Sequence, residues 1–555
     1  MPGTIVAGAL GNCVHVAGVA GFLSIAEQLG YKTVFLGAAV PPERFMDAAK
    51  KHGADIVGVS YRLTPEVGRR LLEDLRLGFR TRGIKGVRFA FGGTPPMCEI
   101  AEKMGWFERC FSGVESPDEI YAYLRGDTVR SRPEHFGDTL LDRLEKKHPY
   151  PLLRHHFGLP SVTQTIEGVA EIAESGVLDV ISTAPDQNAQ ESFFRREEMQ
   201  PELAGAGGVP LRSEAELKAI YKASRTGNYP LLRIYSGTRD LLSWAEVAQR
   251  TIKNAWAAVP LCWYSVLDGR SDRMPEDAIR ENQLCMRWHG LRGIPVEVNE
   301  PHHWGLRDSH GVTSVVTAYL AAYNAKRMGV SHYVAQYMFN TPPGISPEMD
   351  LAKVQAQIEM VESLHSTDFV SFRQVRAGLL HLSPQIDKAK GQLAASTMLA
   401  LGVVPHIIHV VGYCEGDHAA TSAEVIESCN IVHGVLQNCL GKVHPMMSSN
   451  AILERKRQLL AEAEVTLNAI RELGNGDEDP LSSASVIARA IAAGILDAPH
   501  LKGNAFAAGR LATRMVDGAV YAVDPKSGRV LTEAERIASL KSREGKWIAA
   551  PFATR

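Results

Sequence analysis

The sequence lacks the features that would place it in a membrane or outside the cell. Its eight cysteines are scattered, with neither C-x-x-C pairs nor the spacing of a zinc motif, so we expect free thiols in a reducing compartment. No apolar run is long enough to span a bilayer, and no Lys or Arg precedes the N-terminal apolar run, so we expect neither a transmembrane helix nor a signal peptide. These absences predict a cytoplasmic protein.

The chain also lacks an excess of charge of either sign. Its 60 Lys and Arg and 62 Asp and Glu give a net charge of -2, which argues against nucleic acid or an anionic membrane as a partner. The chain is long, with 555 residues, of which 45% are hydrophobic and 22% charged. This composition is that of a soluble globular protein with enough apolar residues for a large core. This length predicts more than one domain, or one large barrel with an addition.

Residues 1–126 predict a parallel, doubly wound α/β sheet. Short apolar runs alternate with helical patterns near 19–29, 42–52, 65–82 and 96–105, which predicts strands joined by crossover helices. The predicted strands are 4–10, 32–37, 56–60, 87–92 and 109–113. The ligand of such a sheet lies beyond the carboxyl ends of its strands, at a switch point in the strand order.

The loop after the first strand is the stretch that most clearly suggests a ligand. His15 lies on it, with Gly8 and Gly11 before and Gly18 and Gly21 after. Small neighbours leave the ring exposed and let a large ligand approach the backbone. Taken alone, the pattern also fits an ordinary surface histidine, so the interpretation depends on the other strand ends.

The segment Cys13-x-His15-x-x-Gly18 resembles the D-x-H-x-x-G loop of the cobalamin-dependent mutases and methionine synthase. In that family the histidine replaces the cofactor's own benzimidazole as the lower ligand of cobalt, and the aspartate holds the histidine's tautomer. A thiol in the aspartate's place is a weaker partner for the ring. The resemblance implies that His15 is the metal ligand and that Cys13 and Gly18 lie beside the cofactor.

Two further loops carry the same resemblance. Ser60 follows the third predicted strand and Gly92-Gly93 follow the fourth, where the family places residues along the buried nucleotide tail. The family's S-x-L reads Ser60-Tyr61-Arg62 here, and a glycine pair alone also fits a tight strand end. Together the three loops imply a flavodoxin-like cobalamin-binding domain with Ser60, Gly92 and Gly93 at the cofactor.

The rest of the chain predicts a second α/β domain. Residues 127–150 are polar and predict a linker with a short helix. From 151 to 450, strand and helix patterns alternate eight times, which predicts a (β/α)8 TIM barrel with its chemistry at the carboxyl ends of the strands. The predicted strands are 152–157, 178–183, 231–235, 259–267, 294–298, 332–338, 369–373 and 406–411. Residues 451–555 are expected to form an extension that packs on the barrel.

Polar side chains cluster where these strands are predicted to end. Each of them alone is more often structural than catalytic, but the carboxyl ends of barrel strands meet at one face, so together they predict a site. They are His155-His156, Asp186-Gln187-Asn188, Arg233, Tyr264, Asp268, Glu300, His302-His303, Arg373 and Glu415.

Several segments resemble the large, barrel-bearing subunit of glutamate mutase. They are Ser182-Thr183, Gly237-Thr238, residues 473–477, and the tail with Gly494, Asp497-Ala498-Pro499 and residues 504–509. The separate small cobalamin subunit of that enzyme has its counterpart fused here at the N-terminus. The resemblance implies an adenosylcobalamin-dependent radical isomerase whose barrel caps the upper cobalt face, and we expect a homodimer.

The substrate residues of glutamate mutase are only partly present. Arg233 is the nearest match to one of three arginines that grip the carboxylates of glutamate, whereas the other two positions fall near His156 and near 189–190. The family's catalytic glutamate falls near Ala258, while its neighbouring tyrosine is kept as Tyr264. The resemblance therefore implies a mutase that acts on a small carboxylic acid other than glutamate.

The roles that follow are also implied by this resemblance. Arg233 would bind a substrate carboxylate bidentately, Tyr264 and His156 would orient the migrating group, and Glu300 would accept an ammonium or hydroxyl. Glu415 matches a glutamate that contacts the adenosine ribose, although the lysine just before it is lost. Arg233 has a structural alternative, namely a salt bridge to Asp186 or Asp268 across the barrel rim.

Two other functions remain open from the sequence. A corrinoid-dependent methyltransferase also joins this cobalamin domain to a barrel, although the tail that resembles glutamate mutase argues against it. A non-catalytic cobalamin-binding sensor or carrier would account for Cys13 and for the missing glutamate near Ala258.

Overall fold

A computed structural model describes residues 3–113, 115, 117–126, 136–441, 448–541 and 547. The chain divides into two compact units, Met1–Ser131 and Arg132–Arg555. Residues 127–135 of the predicted linker and most residues after 541 of the predicted extension lie outside the described residues. Within the described part, no helix has the length and hydropathy needed to cross a membrane.

The N-terminal unit contains a five-stranded parallel sheet. Its strand order is β2-β1-β3-β4-β5, that of the flavodoxin-like doubly wound fold, with the switch point between β1 and β3. The strands are β1 (Thr4–Ala9), β2 (Lys32–Phe35), β3 (Ile56–Tyr61), β4 (Arg88–Gly93) and β5 (Arg109–Phe111). The helices are α1 (Ala17–Gln28), α2 (Pro42–His52), α3 (Pro65–Thr81), α4 (Pro95–Met104) and α5 (Pro117–Arg125). The predicted fold of this unit is confirmed.

The sequence explains these elements locally. β3 is buried along its whole length, because its apolar and β-branched residues are covered by helices on both faces of the sheet. Proline stands at the first position of α2, α3 and α4, where its fixed φ favours the helix and its missing N–H costs nothing. Helix packing on both faces leaves the carboxyl edge of the strands as the place for a ligand.

The second unit contains eight parallel strands that form a nearly closed barrel, as predicted. Strands that are neighbours in the chain pair with each other, except the third and the fourth, and the first strand pairs with the last. The strands are β6 (Leu152–Phe157), β7 (Val180–Thr183), β8 (Leu231–Ile234), β9 (Ala257–Val259), β10 (Val296–Val298), β11 (His332–Phe339), β12 (Val370–Ala377) and β13 (Ile407–His409). A single bridge, Tyr235 to Ala258, joins β8 to β9.

Helices surround the barrel, and further elements follow it. α17 packs against α13 and α14, so the last part of the described chain covers the outer face of the barrel. The helices are α6 (Leu140–Lys147), α7 (Val162–Ser175), α8 (Gln187–Ser192), α9 (Glu214–Ala223), α10 (Leu241–Ile252), α11 (Pro275–Gly290), α12 (Glu300–Gly305), α13 (Gly311–Arg327), α14 (Pro347–Glu362), α15 (Ile386–Leu401), α16 (Ser422–Cys439), α17 (Asn450–Leu473), α18 (Ala484–Ala493) and α19 (Glu533–Ser539). A hairpin of β14 (Thr513–Val516) and β15 (Ala519–Ala522) precedes α19.

The barrel interior changes from apolar to charged along the strands. An apolar cluster near the amino ends contains Leu152, Val180, Leu231, Trp256, Val334 and Ile407. Two residues further along three of these strands lie Arg154, Ser182 and Arg233, which are fully buried. Because side chains alternate along a strand, these residues face the same interior one layer higher. Buried charge inside the barrel therefore lies just below the carboxyl face.

Two predicted barrel strands differ from the structure. The predicted strand 259–267 shares only Val259 with β9. The apolar residues after Val259 form a buried turn in which Tyr264 has a φ of 59°, which an extended strand excludes. The strand predicted to end at Arg373 continues to Ala377. Arg373 therefore does not lie at a strand end, and its guanidinium binds the Glu362 carboxylate of α14 through two hydrogen bonds of 2.7 and 3.0 Å.

Candidate functional site

The strand ends of the N-terminal unit bring its predicted site residues together. In the sheet register Ala9 lies beside Ser60, and Ser60 lies beside Gly92. The loop that holds His15 begins directly after β1 and leads into α1. The loop, Ser60 and the glycine pair therefore share one carboxyl edge at the switch point of the sheet.

Cys13 contacts the ring of His15 in the position predicted for the missing aspartate. Its Sγ lies 3.7 Å from Nδ1 of His15, while the thiol is fully buried and the histidine is exposed. A metal on Nε2 would require the proton on Nδ1, where the sulfur can accept it weakly. The arrangement leaves Nε2 as the exposed ring nitrogen that could bind cobalt.

Glycines keep the surface around this loop open. A Cβ on Gly18 or Gly21 would meet no described atom within 4 Å, and one on Gly92 would only touch Phe111 O at 4.0 Å. Packing within the unit therefore does not explain these glycines, whereas a large ligand lying along the edge would. Gly93 differs, because a Cβ there would lie 2.8 Å from Tyr61 O.

Replacing Cys13 by alanine is expected to weaken cobalamin binding by about tenfold while the unit stays folded, because the loss of a residue that orients a metal-bound histidine costs this much or more. Equilibrium binding of aquacobalamin, followed by the visible absorbance of the cofactor, measures the effect. Cys110→Ala, which removes another buried thiol of the same unit, is the control. Equal affinity in both variants would contradict a role for Cys13.

The barrel mouth is lined by aromatic rings and imidazoles. His156, at the end of β6, stacks on Tyr235 with ring centroids 5.2 Å apart and planes at 6°, and His409 meets it edge-on at 4.7 Å. Nη2 of Arg154 lies 2.8 Å from Nε2 of His156. These contacts hold the imidazole of His156 in a fixed orientation at the strand ends.

The imidazoles of the mouth are neutral. Burial is the largest cause, and it lowers their pKa values well below the ordinary value. The next cause is the charge of Arg154 or Arg376, or, for His303, the neighbouring ring of His302. The residues are His156, His302, His303 and His409. Arg376 contributes to the lowering of each of these pKa values, so its half-buried guanidinium lies near these rings.

Tyr264 lies on the turn after β9 and faces the same mouth. Its backbone oxygen accepts hydrogen bonds of 2.7 Å from Ser271 Oγ and from Arg273 Nη2. Its ring meets that of His303 edge-on at 5.5 Å. Burial, and then the nearby Tyr235, raise the pKa of Tyr264 above its ordinary value. The phenol is therefore a protonated hydrogen-bond donor.

Arg233 does not reach the barrel mouth. It is fully buried, and its Nη2 donates to Glu297 Oε2 at 2.9 Å, while the ring of Tyr235 covers its guanidinium at 4.5 Å. The structural alternative of an ion pair therefore describes Arg233, but the predicted partners are wrong. Asp186 pairs with Arg212 at 2.6 Å, and Asp268 lies 3.6 Å from Arg307.

The carboxylate of Glu300 accepts hydrogen bonds from other residues of the barrel. Its Oε2 accepts the N–H groups of Leu261 and Cys262 at 2.9 Å each, and its Oε1 accepts Trp304 Nε1 at 2.8 Å. These bonds hold the turn that carries Tyr264. The structure therefore gives Glu300 a positioning role, and its predicted contact with a substrate ammonium or hydroxyl stays a prediction.

Glu415 lies in a short turn after β13, Tyr413–Gly416. Its Oε1 accepts the N–H of Gly412 at 2.9 Å and lies 3.3 Å from Nε2 of the buried His155. About a quarter of its side chain is exposed (26%), so the carboxylate can still meet a ligand from solvent. Its predicted contact with the cofactor ribose stays a prediction.

The sequence reading missed Tyr235 and Arg376. A signal for them exists, because polar residues recur at every second position in Arg154-x-His156, Arg233-x-Tyr235 and Gln374-x-Arg376, which is the period of side chains facing one side of a strand. The first residue of each pair lies in the buried polar layer that contains Arg154 and Arg233, and the second lies in the mouth.

Comparison with known proteins agrees with this geometry in the N-terminal unit. Residues 3–117 match the family model of the B12 binding domain, so this unit is a B12-binding domain and cobalamin is the cofactor it fits. No curated protein matches the chain.

Two solved structures show weaker likenesses. A cobalamin-binding protein from Desulfitobacterium hafniense DCB-2 is 22% identical over 22% of this chain and 58% of its own, with a TM-score of 0.20. The cobalamin-dependent S-adenosylmethionine radical enzyme OxsB, with aqua-cobalamin bound, is 10% identical over 87% of this chain and 64% of its own, with a TM-score of 0.19. The chain thus spans 58 to 64% of the length of these structures, and likenesses this loose carry no argument about the barrel.

Proposed function

We propose that this protein is an adenosylcobalamin-dependent carbon-skeleton mutase that acts on a small carboxylic acid other than glutamate. The observation that carries the proposal is the barrel mouth, which combines neutral imidazoles near the charge of Arg376 with the protonated phenol of Tyr264. Such a mouth would bind and orient an anion, and the two buried carboxylates nearest to it, Glu297 and Glu300, are engaged by buried donors. Radical chemistry asks a protein for orientation and exclusion of water rather than for strong acids and bases.

Each residue of the two sites has a proposed role that follows from its position. When bound, adenosylcobalamin supplies the carbon radical that takes a hydrogen atom from the substrate. His15 is proposed to bind the cobalt through Nε2. Arg376 anchors the substrate carboxylate, and Tyr264 and His156 donate or accept hydrogen bonds that orient the migrating group. Arg233 acts from the layer below as a positioning residue, because Tyr235 packs directly on its guanidinium.

The function is tested with the full chain, adenosylcobalamin and a panel of small carboxylic acids without oxygen. A true substrate is expected to change the visible absorbance of the cofactor and to yield an isomer detectable by NMR. Glutamate is expected to react poorly, because two matching arginines are absent and each unpaired carboxylate oxygen costs about 1 to 3 kcal/mol. Cofactor binding without reaction of any acid would favour the carrier, and methyl transfer from methylcobalamin would favour the methyltransferase.

Arg376→Lys is expected to raise KM for the substrate by about 10- to 100-fold with little change in Tm, because lysine keeps the charge but loses the planar fork that a carboxylate matches. Arg373→Lys is the matched control on the same strand, since Arg373 binds Glu362 on the outer face. The control should lower Tm and leave KM unchanged. An unchanged KM in Arg376→Lys would refute the anchor.

A further inference from the structure

A cluster of metal-ligand side chains lies beside the barrel mouth, outside the residues used so far. Cys414, His418 and Glu424 each offer one ligand atom, a sulfur, an imidazole nitrogen and a carboxylate oxygen, and these atoms lie within 4.8 Å of one another. The part of the chain that the structure describes contains no second group of this kind. Cys414 and His418 belong to the segment that joins β13 to α16, and Glu424 lies in the first turn of α16.

Local structure fixes each of these side chains. Cys414 is buried in the turn Tyr413–Gly416, and its backbone oxygen accepts the N–H of His418 at 2.9 Å. Glu424 forms the capping box of α16, in which its Oε2 accepts Thr421 N at 2.9 Å and Thr421 Oγ1 at 2.8 Å. The capping box uses one carboxylate oxygen and leaves Oε1 directed at His418.

The ring of His418 is held between two carboxylates. Its Nδ1 lies 2.9 Å from Asp417 Oδ2, and its Nε2 lies 2.8 Å from Glu424 Oε1. Histidines that bind metals usually donate the other ring N–H to a carboxylate, which fixes the tautomer. Asp417 provides that partner, so a cation between Nε2 and Glu424 would replace the hydrogen that now joins them.

We propose that Cys414, His418 and Glu424 bind a divalent zinc ion. A thiolate, a neutral imidazole and a carboxylate are the donors that Zn²⁺ accepts, and their two negative charges neutralise it. Bonds of about 2.0 to 2.3 Å in a tetrahedral site separate ligand atoms by about 3.3 to 3.7 Å. The three side chains can reach this spacing if His418 and Glu424 move slightly apart and Cys414 moves closer. Water takes the fourth position.

Proton balance and position complete the proposal. Binding releases the thiol proton of Cys414 and the hydrogen shared by His418 and Glu424, and nothing is oxidised or reduced. The ion closes a loop from the turn after the last strand to the start of α16, and Glu415 lies inside this loop. The site is independent of the proposed function, because it uses neither the cobalamin residues nor those of the mouth.

The test uses the full chain without cobalamin, stripped of metal by a chelator and titrated with Co²⁺ in the absence of oxygen. Wild type is expected to bind about one Co²⁺ with a thiolate-to-cobalt charge-transfer band and tetrahedral d–d bands, which Zn²⁺ removes. Cys414→Ser should lose the charge-transfer band, and His418→Gln should weaken binding by about tenfold or more.

Two control variants show whether a loss of Co²⁺ binding is specific to the proposed ligands. Cys439→Ser changes a half-buried cysteine at the end of α16, and His500→Gln changes an exposed histidine paired with Asp308, so both should bind Co²⁺ like wild type. The side chain of His418 is 43% exposed, so its variant should fold even if Cys414→Ser does not. A wild type without the charge-transfer band, or a band and affinity that survive His418→Gln, would overturn the site.

Discussion

Replacing His15 by alanine is expected to abolish the imidazole nitrogen splitting in the EPR spectrum of the chain loaded with cobalt(II) cobalamin. The exposed Nε2 of His15 is the ring nitrogen left free when Nδ1 contacts the thiol of Cys13 at 3.7 Å. A nitrogen bound to cobalt would take up unpaired spin density from the metal, and its nuclear spin would split each line of the spectrum. Loss of the ring should therefore remove the splitting entirely, a larger change than any affinity effect.

Isotopic labelling separates His15 from the cofactor's own base. If His15 is the ligand, histidine labelled with ¹⁵N should convert each triplet splitting into a doublet, because the nuclear spin changes, whereas the unlabelled benzimidazole cannot respond. His52→Ala, which alters another histidine of the same unit, should leave the spectrum unchanged. A splitting that ignores the label would show that His15 is not the ligand.

Replacing Glu297 by glutamine is expected to lower the free energy of unfolding of the barrel by about 3 to 5 kcal/mol, the usual cost of breaking a buried ion pair. Its Oε2 lies 2.9 Å from Arg233, 3.6 Å from Arg154 and 2.7 Å from the indole nitrogen of Trp256. All three charged side chains are fully buried. The substitution would leave two buried guanidinium groups without a counter-charge.

The pKa of the Glu297 carboxyl group decides the pH at which the free energy of unfolding should be measured. Burial alone would raise the pKa of Glu297, but Arg233 and Arg154 outweigh it and hold the pKa below its ordinary value. A depressed pKa contributes stability that is present above the unfolded pKa of about 4.3 and is lost as pH falls through the folded value. Urea unfolding near neutral pH, followed by the fluorescence of the buried tryptophans, therefore measures the full contribution.

Two further variants test the assignment. Glu362→Gln breaks the outer pair with Arg373, whose side chains are 29% and 26% exposed, and should cost about 1 kcal/mol or less. Arg233→Lys should lower stability with little change in substrate affinity if Arg233 is a positioning residue. A raised KM with unchanged stability would instead restore Arg233 as the carboxylate anchor.

Strands were predictable where an apolar run stands between polar turns. β6 begins and ends where the sequence placed it, at 152 and 157. The run 259–267 was predicted as a strand because a buried turn is as apolar as a buried strand. In the structure the Glu300 carboxylate stabilises the turn by accepting two of its N–H groups. Its donors lie 38 and 39 residues away in the chain, and no local pattern encodes such a partner.

The site was predictable to the extent that its residues share a loop. Cys13 and His15 are two residues apart, and the resemblance to the D-x-H-x-x-G loop already implied that residue 13 contacts the ring. Glu297 lies 64 residues from Arg233, so the sequence could show a costly buried cation but could not select its partner. The Cys414 cluster escaped notice for a related reason, since a zinc motif is usually recognised by cysteine pairs and this cluster has a single cysteine.

The weak pairing between β8 and β9 makes this the place where the barrel should open locally. One bridge, Tyr235 to Ala258, joins these strands, whereas β11 and β12 pair along their whole length from His332 and Val370 to Phe339 and Ala377. Local opening follows the fewest backbone hydrogen bonds, so the amides of Ser236 and Ala255 should exchange with solvent deuterium before those of β11. Because Arg233 belongs to β8, the strand most easily released is the one that buries a charge, and each opening admits water to that charge first.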